Sequence, residues 1–110
     1  MPHAPLTSAQ FHILLTLLAG QRHGYGIMQE IENRTGGAVE LGPGTLYRSI
    51  KLLLNRGLIV EVQGNPDSGR QRRSYSLTEE GKARTAEEAG RLRDLARWVE
   101  ETTVLQGGGQ

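Results

Sequence analysis

The stretch GPGTLYRSIKLLLNRGLI at 42–59 constrains this chain more than any other. Gly42 is a permissive N-cap, and Pro43 at the first helical position forfeits nothing, because that N–H has no intrahelical partner. Gly57 falls just past the last turn, where a left-handed cap wants glycine. A helix over Pro43–Arg56, followed by the first residues of a strand, is thus written with both of its ends.

The faces of this helix follow from a rotation of about 100° per residue. With Leu46 at zero, Ile50 falls at about 40°, Leu53 at about 340° and Leu54 at about 80°, which makes one apolar face. Gly44, Tyr47, Arg48, Lys51 and Asn55 fall opposite, at roughly 100–200°. That side holds cations, an amide and a phenol but no acid. A major groove admits a helix, and its edges are read by Arg, Lys and Asn. The solvated surface of an ordinary core helix has the same look, so the rest of the chain must decide.

With 110 residues, one domain is expected and two independent cores are not. No stretch approaches the roughly 18 apolar residues of a membrane span; the longest run, FHILLTLLA, is interrupted by His12 and Thr16. No basic-then-apolar leader is read, so no secretion signal is expected. The absence of cysteine excludes disulfides, thiolate catalysis and Cys-based zinc sites, and fits a cytoplasmic protein. The net charge is only +1, but it is unevenly spread. Residues 43–84 carry eight Lys and Arg against four acids, whereas residues 85–110 carry three arginines against five acids. A basic middle and an acidic tail suit a protein that meets a polyanion with its centre.

Along the chain, Thr7 or Ser8 caps a helix expected to reach about Ala19, with Phe11, Leu14, Leu15 and Leu18 as its inward stripe. Gln21–Gly24 reads as a tight turn. A second helix follows from Tyr25 to Thr35, with Tyr25, Ile27, Met28 and Ile31 inward and Gly36–Gly37 at its end. Val39–Leu41 is read as a brief extended piece. Beyond Gly57, LIVEVQ (58–63) and RRSYSL (72–77) are β-patterned, and GNPDSGRQ between them reads as a hairpin loop. This hairpin carries Arg70, Arg72 and Arg73, either as a solvated loop or as a basic finger along a phosphate backbone or in a minor groove. Thr78 caps a final helix expected to run to about Thr103, with Glu79 and Glu80 in its first turn, where the helix dipole favours acids. Ala86, Ala89, Leu92, Leu95, Ala96, Val99 and Thr103 recur at helical spacing. So long an apolar stripe exceeds what this domain covers alone, and a partner helix, hence a homodimer, is expected. Gly107–Gln110 reads as a flexible tail.

Three helices, a two-stranded hairpin and a dimerising helix are the parts of a winged helix-turn-helix. HGYGI at 23–27, GTLYRSI at 44–50, RGLI at 56–59 and RRSYSLTEEG at 72–81 resemble the PadR family of bacterial transcriptional regulators, over about residues 7–103. The single final helix resembles the short branch of that family. The resemblance implies a mostly helical α+β fold, with a winged helix-turn-helix DNA-binding domain at 1–77 and a dimerisation helix and tail at 78–110. It maps the recognition helix onto Pro43–Arg56, a phosphate-contacting tyrosine onto Tyr47 and the wing onto about 58–77. Leu52 and Leu54 depart from it, standing where members often carry polar residues. Leu52 falls at about 240° on the wheel, off the core face.

The leading expectation is a homodimeric repressor on a double-stranded operator, blocking polymerase. Its recognition helices would enter major grooves about one helical turn apart. Tyr47, Arg48, Lys51, Arg70, Arg72 and Arg73 are then the phosphate contacts. Thr45, Arg48, Lys51 and Asn55 lie near base edges, and Ala89, Leu92, Leu95, Ala96 and Val99 form the dimer seam. A second expectation, compatible with the first, rests on Trp98, the only tryptophan. At the seam it can stack on a small hydrophobic effector of the kind some members bind, or it simply packs against helix 1 of the partner. The alternative is a protein-binding winged-helix adaptor without DNA recognition, which requires an exposed apolar patch on the third helix; Leu52 is its one indication. No enzyme is expected. His3, His12 and His23 are scattered, no Ser/His/Asp or phosphate-loop pattern occurs, and His12 lacks a second ligand at metal spacing. No cofactor or metal is expected.

Overall fold

Thr7 opens the first helix with a reciprocal cap: its Oγ1 accepts the Gln10 N–H at 3.0 Å, while Gln10 Oε1 accepts the Thr7 N–H at 3.0 Å. The computed structural model describes residues 4–62 and 73–107. In it this cap starts α1, Ser8–Leu17. The expected inward stripe is right only at Leu14. The buried face is Ile13, Leu14 and Leu17, whereas Leu15 and Leu18 point outward and Phe11 is half-buried. The segment is apolar almost all round, so spacing alone does not select a face; packing against α2 and α3 does.

Arg22–His23 forms a short strand, β1, in place of the expected tight turn over Gln21–Gly24. The second helix, α2, is Gly24–Arg34. Gly24, Ile27 and Ile31 take its inward positions, with Met28 half-buried. Tyr25, expected inward, lies one step off that stripe and is 52% exposed. Residues 39–41 form no strand, but Val39 and Leu41 pack on the core.

The third helix, α3, is Pro43–Asn55, with Gly42 as N-cap, Arg56 as C-cap and Gly57 at φ +73°. Leu46, Ile50 and Leu53 are buried, as the wheel requires, and Leu54 packs at their edge. Strands β2 (Ile59–Val62) and β3 (Ser74–Leu77) are antiparallel, with Ile59 opposite Leu77 and Val62 opposite Ser74. The sheet order is β1-β3-β2, so β3 is central. Tyr75 and Leu77 face the core as expected. Ser74, which alternation with Tyr75 and Leu77 would place on the open face, is also buried, and its Oγ lies 2.9 Å from His23 Nδ1 on β1. The expected loop at 64–71 lies outside the described residues.

The fourth helix, α4, is Glu79–Gly107, longer than expected and including the first glycine read as tail. Its start is riveted to the end of α3. Thr78 Oγ1 accepts the Gly81 N–H at 2.9 Å and donates to the Gly57 carbonyl at 2.7 Å, and the Thr78 N–H reaches the Leu58 carbonyl at 3.1 Å. Gly81 lies so close to that strand that a Cβ there would sit 1.9 Å from the Leu58 oxygen. Thr85, Arg84 and Glu88 are buried as α4 crosses α1. The architecture is mostly helical α+β: a winged helix-turn-helix followed by one long helix.

Candidate functional site

α3 presents Thr45, Arg48, Lys51 and Asn55 to solvent, and no acid stands anywhere along it. Its apolar side anchors these groups: Leu46 and Leu53 are fully enclosed between α1, α2 and the sheet. A rigid helix with a buried back holds its front side chains in register.

Tyr47 is half-buried and packs on the core. Its Oη lies 2.8 Å from where a Cβ at Gly24 would be. Glycine at the start of α2 therefore lets the phenol approach the backbone closely, and any side chain there would push it away. The Gly24 N–H in turn donates to the Arg73 carbonyl at 3.1 Å. The start of α2, the Tyr47 ring and the entry to β3 are thus one tied unit.

Arg73 is exposed and pairs with Glu61 across the β2–β3 ladder at 3.6 Å. An exposed pair of this kind is weak, on the order of 1 kcal/mol or less, so the guanidinium remains available to an anion. Arg70 and Arg72 lie outside the described residues. The basic middle of the sequence is not one patch. Arg56 and Arg84 turn toward the N-terminal segment, and Lys82 pairs with Glu79 at 3.3 Å. Thr45, Arg48, Lys51 and Asn55 share α3, whereas Arg73 stands at the entry to β3.

Tyr25, not among the expected site residues, stands exposed next to Gly24, on which Tyr47 is seated. The signal was available, since Gly24, Ile27, Met28 and Ile31 form the better stripe. Leu52 is 46% exposed on α3. On α4, every described residue from Arg91 to Val104 is exposed, including Leu92, Leu95, Ala96, Trp98 and Val99, while Ala89 is half-buried. Trp98 is 67% exposed.

A groove of about 490 Å³ runs between the outer face of α1 and the second half of α2, with Leu15, Leu18 and Ile31 along it. Its rim is an ion-paired chain: Glu30 takes Arg34 at 2.8 Å and Arg22 at 3.7 Å. The hydrogen bond from Arg34 holds the Glu30 carboxyl below the usual carboxylate range. Among the described residues no group of three His, Cys, Asp or Glu side chains could hold a metal ion, and no helix is long and apolar enough to cross a membrane.

The chain matches the model of the PadR-like transcriptional regulator family over residues 13–87. An uncharacterised protein of Lysinibacillus sphaericus is 36% identical over 75 residues, which are 68% of this chain and 69% of that protein. A PadR family transcription regulator from hypervirulent Clostridium difficile aligns with TM-score 0.74 at 25% identity, covering 86% of this chain and 97% of that one. Bacillus subtilis PadR, solved in complex with operator DNA, aligns with TM-score 0.67 at 22% identity. The match covers 76% of this chain and 47% of that one, and the likeness to it is one of fold.

Proposed function

Because the chain belongs to the PadR-like family of transcriptional regulators, and not to a family of enzymes, we propose that it acts in the cytoplasm as a homodimeric repressor that reads double-stranded operator DNA with α3. The observation that carries this reading is the acid-free outer face of α3, with Thr45, Arg48, Lys51 and Asn55 exposed on a helix whose other side is locked in the core. The B. subtilis relative of the same fold, solved on its operator, supports the same use of the scaffold. Tyr47, Arg48, Lys51 and Arg73 serve the phosphates, with Arg70 and Arg72 as further wing contacts. Thr45, Arg48, Lys51 and Asn55 face base edges.

Dimerisation is supported by two uncovered apolar surfaces: Leu92, Leu95, Trp98 and Val99 on α4, and Leu15 and Leu18 on α1. Ala89 and Ala96 complete the α4 seam. A monomer leaves both surfaces in water, and a second copy removes both. Trp98 at that seam is the place for a flat hydrophobic effector, whose stacking would release the operator. The adaptor alternative rests on Leu52, and a single exposed leucine is not a patch.

The test is binding of operator, selected from random duplexes, across a salt series. Lys51→Ala should cost about 1–3 kcal/mol on the operator and relax its sequence preference. Arg73→Ala should weaken all sequences alike and lower the salt slope by roughly one unit for each phosphate no longer neutralised, doubled in a symmetric dimer. A wild-type protein that holds no duplex even at low salt would overturn the reading and favour the adaptor.

A further inference from the structure

Two arginines from different helices converge on one backbone oxygen. Arg56, the C-cap residue of α3, donates Nη2 to the Ala4 carbonyl at 2.8 Å and Nη1 to Gln10 Oε1 at 3.4 Å. Arg84, in the second turn of α4, donates Nη2 to the same Ala4 carbonyl at 3.4 Å. Gln10 belongs to the cap of α1, so the N-terminal segment gathers the ends of three helices.

Arg84 is an expensive choice for this position. It is 7% exposed, and among the described residues its Nε has no hydrogen-bond partner. Its Nη1 lies 3.4 Å from both Glu87 and Glu88, and Glu88 is itself buried and shared with Arg91. A buried ion pair is often no more stabilising than well-packed apolar side chains of similar volume. Stability therefore does not explain an arginine here. Directional bonding does, because a guanidinium holds several acceptors in a rigid planar fork.

The placement of Arg84 matters as well. The rivet at Thr78 and Gly81 ties the first turn of α4, and the packing of the next turns on α1 is less directional than a hydrogen bond, so a directional contact further along bears on the tilt of the helix about that rivet. The Arg84 contact to Ala4 comes about 9 Å further along the axis, at a rise of about 1.5 Å per residue. One attachment makes a pivot, and two make a brace. Trp98 lies 14 residues beyond Arg84, or about 21 Å along the helix. A tilt of about 10° about the rivet, which lies about 30 Å from Trp98, would move it by roughly 5 Å, more than the ~3.4 Å rise of one base pair.

We propose that Arg84 and Arg56 are positioning residues that set the angle between α3 and α4 by holding the Ala4 carbonyl between them, and so set the spacing of the two recognition helices in the dimer. The angular half of this inference stands on the geometry alone; the spacing half rests on the DNA-reading dimer proposed above.

The experiment separates the halves. The chain has no cysteine, so spin labels placed at Lys51→Cys and Arg97→Cys report one α3-to-α4 distance, with unlabelled chain in excess to suppress distances between subunits. Wild type should give one narrow distribution. Arg84→Met leaves the buried Glu88 to Arg91 alone and should lower the melting temperature while still folding, yet broaden or shift that distribution, and Arg84→Lys should restore it in part. Arg56→Met, at a less buried site, makes the same test should Arg84→Met fail to fold. An unchanged distribution in the folded variants overturns the brace. Without the spin labels, the same variants are then titrated on duplexes whose half-sites are spaced in single base-pair steps. Wild type should prefer one spacing, and the Met variants should bind a single half-site equally well but lose that preference. Retention of the preference overturns the spacing half. Failure of wild type to bind any duplex refutes the DNA reading and, with it, the spacing half, while the distance measurement still decides the angular half.

Discussion

The two halves of α4 invert the usual rule. Its first ten residues bury polar groups: Arg84, Thr85 and Glu88 are enclosed, and Thr85 Oγ1 bonds the Gly81 carbonyl at 2.7 Å. Its later half exposes apolar ones: Leu92, Leu95, Trp98 and Val99. The backbone is the same helix throughout, so the difference lies in the neighbours. The proximal half is covered by α1 and the N-terminal segment, while Arg84 and Glu88 pair with each other and with Glu87 and Arg91 of the same helix, and the Ala4 carbonyl takes a further bond from Arg84. The distal half, from Arg91 to Val104, is exposed among the described residues. Polar residues are tolerated inside when each finds a partner, and apolar residues outside mark a surface awaiting cover.

The largest effect expected from breaking this contrast is at the distal half. Leu92→Asp with Leu95→Asp would place unpaired carboxylates in the proposed seam, where burial of lone charge is strongly unfavourable. Sedimentation and circular dichroism should show a monomer or an unfolded chain; a well-folded dimer would remove the seam from Leu92 and Leu95. A matched pair of glycine substitutions sharpens the contrast within one helix. At Gly81 the new Cβ would collide with the Leu58 oxygen, and Gly81→Ala should cost about 3 kcal/mol in urea melts. At Gly90 a Cβ meets, among the described residues, nothing nearer than the Arg93 guanidinium at 3.8 Å, and Gly90→Ala should gain about 0.5–1 kcal/mol from helix propensity. A loss at Gly90 would mean that the partner chain packs there.

The smallest of these effects, but the one with a pH signature, is at Glu88. The hydrogen bond from Arg91 holds its carboxyl below the ordinary value of 4.5, against the raising effect of burial. A carboxylate depressed in the folded state stabilises fully above the unfolded pKa. That stabilisation disappears as pH falls through the lowered folded value. Glu88→Gln should therefore cost about 1.5 kcal/mol at neutral pH, and the cost should shrink as the medium is acidified below 4.5. A cost independent of pH would assign it to packing alone.

What could be read in the sequence was what is local. Gly42, Pro43 and Gly57 punctuate α3 through backbone chemistry that needs no neighbour, and its apolar face is clean enough for the wheel to find. Thr78 with two acids after it announces α4 for the same reason. The inward face of α1 was not legible, because Phe11, Ile13, Leu14, Leu15, Leu17 and Leu18 offer several stripes, and α2 and α3 decide among them. Arg22–His23 carries no β pattern at all and is a strand only because β3 lies beside it. Arg84 and Glu88 look like a solvated i, i+4 pair until the N-terminal segment folds over them. At the candidate site, the outward groups of α3 were legible from periodicity. The seating of Tyr47 on Gly24 was not, since it joins residues from two helices.

That two-residue strand has a topological consequence. β1 pairs with β3 at Arg22–Tyr75 and His23–Ser74, and the His23–Ser74 side-chain contact spans 51 positions in sequence. The pairing closes a ring that contains α2, α3 and the hairpin. Closing a ring of this length costs only slightly more entropy than closing one half as long, because the penalty grows with the logarithm of length. A very short clasp is therefore sufficient, provided that the elements inside the ring are already stiff. The helices supply the stiffness, and Arg22 and His23 join the two ends of the circuit.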